Sequence, residues 1–302
     1  MSQEVVPSAQ KSITVEAHAK VNLTLEILGR RLDGFHNLAS VMQTISLHDT
    51  VTLSRADEMQ IICDHKSIVP ESNLALWAAR ALQVELGVRE SVRIDIKKRI
   101  PIAAGLGGGA SNAAAVLNAL VGFWGLDISH EQLIEIGASV GSDVPFFLTG
   151  GTALVRGKGD EVVPLPAAIL QPMVILSPKI GPLEKTRSAF EQVTPEHYTR
   201  GTLSHKLAGR IRGNGDVPPE LFFNAFETLA PSMYMDYNEN LLEFQKVGAR
   251  VISLNGAGPS MFVMAPSLKI GAIWEILLRY GRGWTAFLTH AWQPGQVTED
   301  SI

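Results

Sequence analysis

Pro101-Ile102-Ala103-Ala104-Gly105-Leu106-Gly107-Gly108-Gly109-Ala110-Ser111 stands between two differently patterned segments. Before it, Val92, Ile94 and Ile96 alternate as a strand does. After it, residues 112–123 form an alanine-rich stretch that reads as a helix. A glycine loop that opens a helix presents free backbone N–H groups at the positive end of the helix dipole, which suits a phosphate. Four glycines lie within residues 105–109. They let the backbone approach a bulky anion and adopt positive φ, and Gly108 is expected to need that freedom. No Gly-Lys-Ser/Thr closes the loop, so it is not a Walker A motif. No acidic residue closes a following strand at the dinucleotide-binding distance. Taken alone, the loop fits a phosphate cradle and a tight helix–sheet turn equally well.

The segments on the N-terminal side carry polar groups on regular faces. Residues 13–28 alternate, with Val15, Ala17, Ala19 and Val21 on one face and Glu16, His18, Lys20 and Asn22 on the other. Lys20 and Asn22 therefore lie roughly 6–7 Å apart along one strand face. A turn at Asp33-Gly34 leads into strand-like segments near 38–47 and 50–53. At that turn Phe35 and His36 offer an aromatic face and a titratable edge for a planar base, although a plain hairpin also explains them. A helix is expected from Ser72 or Asn73 to Gly87.

On the C-terminal side, Ser129 and Gln132 make a capping box for a helix ending near Gly141. Asp143, in Gly141-Ser-Asp-Val-Pro-Phe-Phe147, fits a helix cap. It equally fits a carboxylate that acts on a substrate hydroxyl and stays ionised beside Lys20. Segments 152–155 and 161–163 are expected to pair. A composition shift over 164–172 then suggests a boundary between a first unit, 1–165, and a second, 166–302. The second unit reads as an α+β sandwich. It would hold strands at 173–176, 250–254, 261–265 and 284–291, and helices at 184–193 and 267–280. A helical stretch over 220–247 would be broken at Pro231, and 195–218 would be a polar surface segment. The turn Asn255-Gly-Ala-Gly-Pro-Ser260 reads as a hairpin, or as a backbone nest at a phosphate or substrate.

Composition narrows the classes. The chain has 302 residues, enough for two cored units, with 46% hydrophobic and 19% charged residues and a net charge of −4. No broad basic surface for nucleic acid is expected, so an anionic ligand needs a local site. A single cysteine, Cys63, excludes a disulfide framework. No run reaches the length of a membrane span, and a cytoplasmic protein is expected.

Taken in order, these segments resemble the GHMP small-molecule kinases. The matching stretches are Ala19-Lys-Val-Asn-Leu-Thr-Leu25, Gly29-Arg-Arg-Leu-Asp-Gly-Phe-His36, Pro101–Ser111, Gly141-Ser-Asp-Val-Pro-Phe146 and Leu254-Asn-Gly-Ala-Gly-Pro-Ser260. The resemblance spans roughly residues 14–290 and is specific, because several motifs agree in order and spacing. It implies an α+β GHMP kinase fold with a ribosomal-protein-like N-terminal ATP-binding domain and a ferredoxin-like C-terminal domain. It implies ATP as phosphate donor, Mg²⁺ bridging its phosphates, and a cytidine diphosphate methylerythritol as the small-molecule substrate, phosphorylated on the position-2 hydroxyl. By this correspondence Lys20 and Asp143 form the catalytic pair, and residues 101–111 hold ATP. Asn22, Phe35, His36, Thr186, Phe190, Gly256 and Gly258 face the substrate. Ser111 is a candidate metal contact, and no metal ligand set follows. Phe35 for the usual Tyr, Ala110 for Ser, and Asn255 for Ser or Thr depart from the pattern. A kinase for a sugar or a mevalonate-like alcohol, or a non-catalytic nucleotide-binding relative, remain as alternatives at this point.

Overall fold

A computed structural model describes residues 12–179, 185–234, 237–246, 248–249, 251–264, 267–280 and 283–295, with backbone alone at 185–187, 267–268 and 280. The first half begins with strands β1 (Ser12–Asn22), β2 (Thr24–Arg30), β3 (His36–Ala56) and β4 (Gln60–Cys63). Helix α1 (Leu74–Leu86), strand β5 (Ser91–Lys97), α2 (Gly108–Trp124), α3 (His130–Val140) and α4 (Val144–Thr149) follow, then the hairpin β6 (Thr152–Gly157) and β7 (Glu161–Leu165). The caps read from the sequence are in place. The Asn73 side chain accepts from Ala75 N, Gly87 ends α1 in the left-handed region, and Ser129 and Gln132 close a capping box.

Strand β3 organises the first sheet. It pairs with β1, β2, β5 and β6 along its 21 residues. The two segments expected at 38–47 and 50–53 are therefore one strand. The polar pair His48-Asp49 looked like an interruption, but Asp49 is fully buried and bonded inside the sheet. Helices α1 and α2 cover one face through Leu76, Leu82, Ile94, Leu117 and Leu120.

The second half holds β8 (Met173–Pro178), α5 (Lys185–Glu191), α6 (Thr202–Arg212), the short β9 (Phe223–Asn224) and α7 (Ala230–Met233). After them come α8 (Tyr237–Lys246), β10 (Val251–Leu254), β11 (Met261–Met264), α9 (Ser267–Tyr280) and β12 (Trp284–Thr289). Its antiparallel sheet runs β10-β11-β8-β12, the strand order of a ferredoxin-like unit. The expected boundary at 165/166 falls between β7 and β8. One core crosses it, joining Ala19, Val21 and Leu23 to Ile175, Phe262 and Leu106.

Two expectations need correction. Residues 195–218 are not merely a polar surface segment, for they contain α6. Its Ser204, Leu207, Ala208 and Ile211 are buried at helical spacing against the first sheet. The helical stretch 220–247 is not one broken helix. It is split among 3-10 turns, β9, α7 and α8, and Pro231 sits in the first turn of α7, where a missing N–H costs nothing.

Candidate active site

The glycine loop leaves β5 and enters α2 at Gly108. Its base is fastened by a buried carboxylate. Asp49 accepts from the backbone N–H groups of Arg99 (2.7 Å) and Ile100 (2.8 Å) and from Asn112 Nδ2 (2.9 Å), and it also pairs with Lys98 Nζ. The strand end, the loop and the first turn of the helix are thus tied to β3. This arrangement left no sequence signal beyond an acidic residue between two strand-like segments.

Within the loop Gly105 and Gly107 take positive φ, +83° and +72°, and so does the non-glycine Ala103 at +52°. A left-handed alanine is strained backbone of the kind that gathers at ligand sites. Gly108 does not take positive φ, contrary to expectation. It opens the helix with ordinary geometry, and a Cβ there would come within 3.1 Å of Lys98 Nζ and 3.0 Å of Ile100. At Gly105 a Cβ would fall 2.2 Å from the carbonyl oxygen of Asn255, so the turn 255–260 is pressed onto the loop.

Asn255 holds those two segments on β1. Its Oδ1 accepts from Asn22 N at 2.9 Å, and its Nδ2 donates to the carbonyls of Lys20 (3.2 Å) and Gly105 (3.0 Å). Ser260 Oγ donates to Ala104 O at 2.5 Å, and Asn224 Nδ2 donates to the carbonyls of Leu254 and Gly256, both at 2.8 Å. Asn255, one of the three departures noted in the sequence, is therefore a structural clamp.

Lys20 is buried, with Nζ donating to Asn22 Oδ1 at 2.5 Å, while Asn22 Nδ2 donates to Ser40 Oγ at 2.8 Å. Asn22 thus positions the lysine first of all. Burial pushes the Lys20 pKa down, and the nearby Asp143 carboxylate partly offsets that. Asp143 is half-buried at the N-cap of α4, yet its side chain makes no cap hydrogen bond. The carboxylate is left for the cleft.

That cleft measures about 830 Å³ and is lined by Lys20, Asn22, residues 101–110, Asp143, Phe190 and Gly256. Its lining extends past the loop to Lys98, Ser67, Ile68, Val69 and Leu74, none of which the sequence singled out. Phe190, from the second half of the chain, also lines the cleft. His36 stacks on it with ring centroids 5.4 Å apart and planes 23° apart, and His36 Nε2 is buried without a hydrogen-bond partner among the described residues. Burial, with Arg30 nearby, lowers the His36 pKa.

Other expected residues lie apart from the lining. Phe35 is 56% exposed at the hairpin tip, with Lys158 Nζ 5.7 Å from its ring centroid. Ser111 is buried and its hydroxyl donates to His18 O at 2.6 Å, so it does not face the cleft. Gly258 packs beneath Tyr234, and the Thr186 side chain lies outside the described residues.

Comparison with known proteins bears on this arrangement. Residues 73–151 match the GHMP kinases N terminal domain. A 4-diphosphocytidyl-2-C-methyl-D-erythritol kinase of Dehalococcoides mccartyi is 40% identical over 253 residues, 83% of this chain and 89% of that protein. One from Gloeobacter violaceus is 35% identical over 300 residues, covering 96% and 98%. A crystal structure of 4-(cytidine 5'-diphospho)-2C-methyl-D-erythritol kinase superposes with a TM-score of 0.76 at 28% identity, over 93% of this chain and all (100%) of that one. The mevalonate kinase of Methanococcus jannaschii, at 14% identity and a TM-score of 0.69 over 94% of this chain and 99% of its own, shares the fold.

Proposed function

The chain belongs to the 4-diphosphocytidyl-2-C-methyl-D-erythritol kinases of the GHMP kinase family, and from that premise we propose how its cleft performs the transfer. The enzyme is an ATP-dependent small-molecule kinase of non-mevalonate isoprenoid synthesis. The γ-phosphoryl group of ATP passes to the position-2 hydroxyl of its cytidine diphosphate substrate, giving ADP and the phosphate monoester. In this reading the enzyme works in the cytoplasm.

The observation that carries this reading is the Asp143 carboxylate at the N-cap of α4, which makes no cap bond and lines the same cleft as Lys20 and the glycine loop. The loop N–H groups and the N-terminus of α2 receive the phosphates. Ile68, Val69 and Leu74 form the apolar end that takes the adenine ring. Asp143 accepts the proton as the substrate hydroxyl attacks the γ-phosphorus and the bond to the β-phosphate oxygen breaks. Lys20, held by Asn22, offsets charge on the moving phosphoryl oxygens. Mg²⁺ suits this donor set, because a hard cation bound through phosphates needs only one or two carboxylates, and Asp143 is the one carboxylate among the described lining residues. When bound, such an ion neutralises phosphate charge. Phe190 and His36 receive the cytosine end, with His36 Nε2 meeting the edge of the base, and Phe35 at the hairpin tip closes on it when the substrate binds.

The test is ADP release with the cytidyl substrate beside mevalonate and galactose. Turnover restricted to the cytidyl compound supports the reading. Equal or better turnover of either simple alcohol overturns the substrate assignment.

A further inference from the structure

Away from the cleft, strand pairing gathers three metal-ligating side chains. Glu16 and His18 lie two residues apart on β1, and His18 pairs directly with His48 on β3. One ligand atom from each lies within 4.8 Å of the other two. His18 Nε2 is 3.2 Å from Glu16 Oε2, and His48 Nε2 is 3.6 Å from Glu16 Oε1.

The other ring nitrogens settle the chemistry. His18 Nδ1 lies 3.1 Å from Ile45 O, and His48 Nδ1 lies 2.8 Å from Ser46 O. A carbonyl oxygen only accepts, so each Nδ1 carries the proton, and in a neutral ring each Nε2 is left with a lone pair. Both lone pairs then point at a carboxylate that is also only an acceptor. Acceptors facing one another at these distances are bridged by a proton or by a metal ion. Protonating both rings would set two imidazolium ions 5.3 Å apart, centroid to centroid, with His18 buried beneath the face of Trp292. A backbone carbonyl on Nδ1 and a free Nε2 is also how proteins orient a ligating histidine.

From this geometry we infer that Glu16, His18 and His48 form a binding site for a divalent transition-metal ion of the zinc class. Bonds of about 2.0–2.1 Å in a tetrahedral site put neighbouring donor atoms roughly 3.3 Å apart, and the two histidine–carboxylate separations, 3.2 and 3.6 Å to the two oxygens of Glu16, are close to that. Two imidazoles and a carboxylate select zinc-like ions over hard cations, and three protein ligands leave a fourth position for water. The ion pins β1 to β3, two residues before Lys20. It also lies beside the hydrogen bond from Ser111 Oγ to His18 O, which fastens α2 to β1. The exposed His290 is a further neighbour of His18.

The experiment uses the full chain stripped with EDTA. Zn²⁺ is titrated by calorimetry and by thermal unfolding into wild type, Glu16→Gln and His48→Gln, with Mg²⁺ as the hard-cation control. These two side chains are less buried than His18, which favours folded variants. The expected result is saturable Zn²⁺ binding with a rise in Tm for wild type, and an affinity lower by about tenfold or more in each variant. Mg²⁺ gives no such rise. Co²⁺ added to wild type should show the visible absorption of a tetrahedral nitrogen–oxygen site, a readout that stands even where a variant does not fold. Zn²⁺ affinity unchanged by both substitutions, or a wild type that neither binds Zn²⁺ nor gives the Co²⁺ spectrum, overturns the inference and leaves a protonated hydrogen-bonded cluster.

Discussion

At Asp143 two roles compete for one side chain. A carboxylate just before a Val-Pro helix start is well placed to cap it, but no cap bond forms, so α4 has no claim on the charge. Asp143→Asn should therefore cost turnover a factor on the order of 10² or more and leave Tm and the affinity for metal-free ATP nearly unchanged. Steady-state kinetics with nucleotide calorimetry checks this, and near-normal turnover defeats the proton-acceptor role. Lys20 gives a pH test. Its folded pKa is lowered by burial, so between that pKa and the ordinary lysine value the unfolded chain binds more protons than the native one. Native stability therefore rises with pH across that window. Lys20→Met removes the group, so the stability of wild type relative to the variant should climb as pH rises towards the ordinary lysine value. Denaturation of the pair at several alkaline pH values reads this, and a flat or falling difference contradicts the depressed pKa. Lys20 and its strand face were legible because period-two alternation is a local property. The role of Asn255 was not, because its three partners lie at Lys20, Asn22 and Gly105 and meet it only in the folded chain.

Among the elements, legibility followed how strongly local pattern and cap agree. Helix α1 announces itself with Asn73 at one end and Gly87 at the other. Helix α6 begins after a left-handed Gly201, with no side-chain cap, and Lys206, Arg210 and Arg212 dilute its apolar stripe. Its register is set by the sheet instead. Ser204 N donates to Glu26 Oε2 at 2.8 Å, and Ser204 Oγ donates to Ala39 O (3.0 Å) and is bonded to Thr24 Oγ1 (2.9 Å). If α6 belongs to the core, Leu207→Ala, at a fully buried position, should destabilise the protein by roughly 2–5 kcal/mol, as large-to-small changes in a packed interior do. At an exposed surface segment the same change costs under about 0.5 kcal/mol. Chemical denaturation decides between these values. Strand β3 shows the opposite failure. The sequence reads it as two pieces because His48 and Asp49 are polar, yet burial of Asp49 with four donors makes continuity favourable.

Across the whole molecule, the cleft is lined by residues of both halves of the chain, from Ser67–Leu74 and the glycine loop to Phe190 and Gly256. His36 on β3 stacks on the cleft-lining Phe190 of α5, and the buried Nε2 of His36 lacks a partner among the described residues. An unpaired buried polar atom is costly, and a ligand that pairs with it recovers that cost. With a nonhydrolysable ATP analogue occupying the loop, CDP should raise Tm, because a ligand that binds only the native state stabilises it by mass action, by about 2.7 kcal/mol at a hundredfold excess over Kd. UDP should protect less. Its ring N3 donates where cytosine accepts and it lacks the exocyclic amino donor, so the same contacts leave polar groups facing like partners. His36→Ala also removes a stacking partner of Phe190 and lowers basal stability, so the telling quantity is the difference between the two nucleotides within each protein. That difference should be clear in wild type and largely gone in the variant, with KM for the cytidyl substrate raised and ATP affinity little changed. Equal protection by CDP and UDP in wild type would mean that His36 does not read the base.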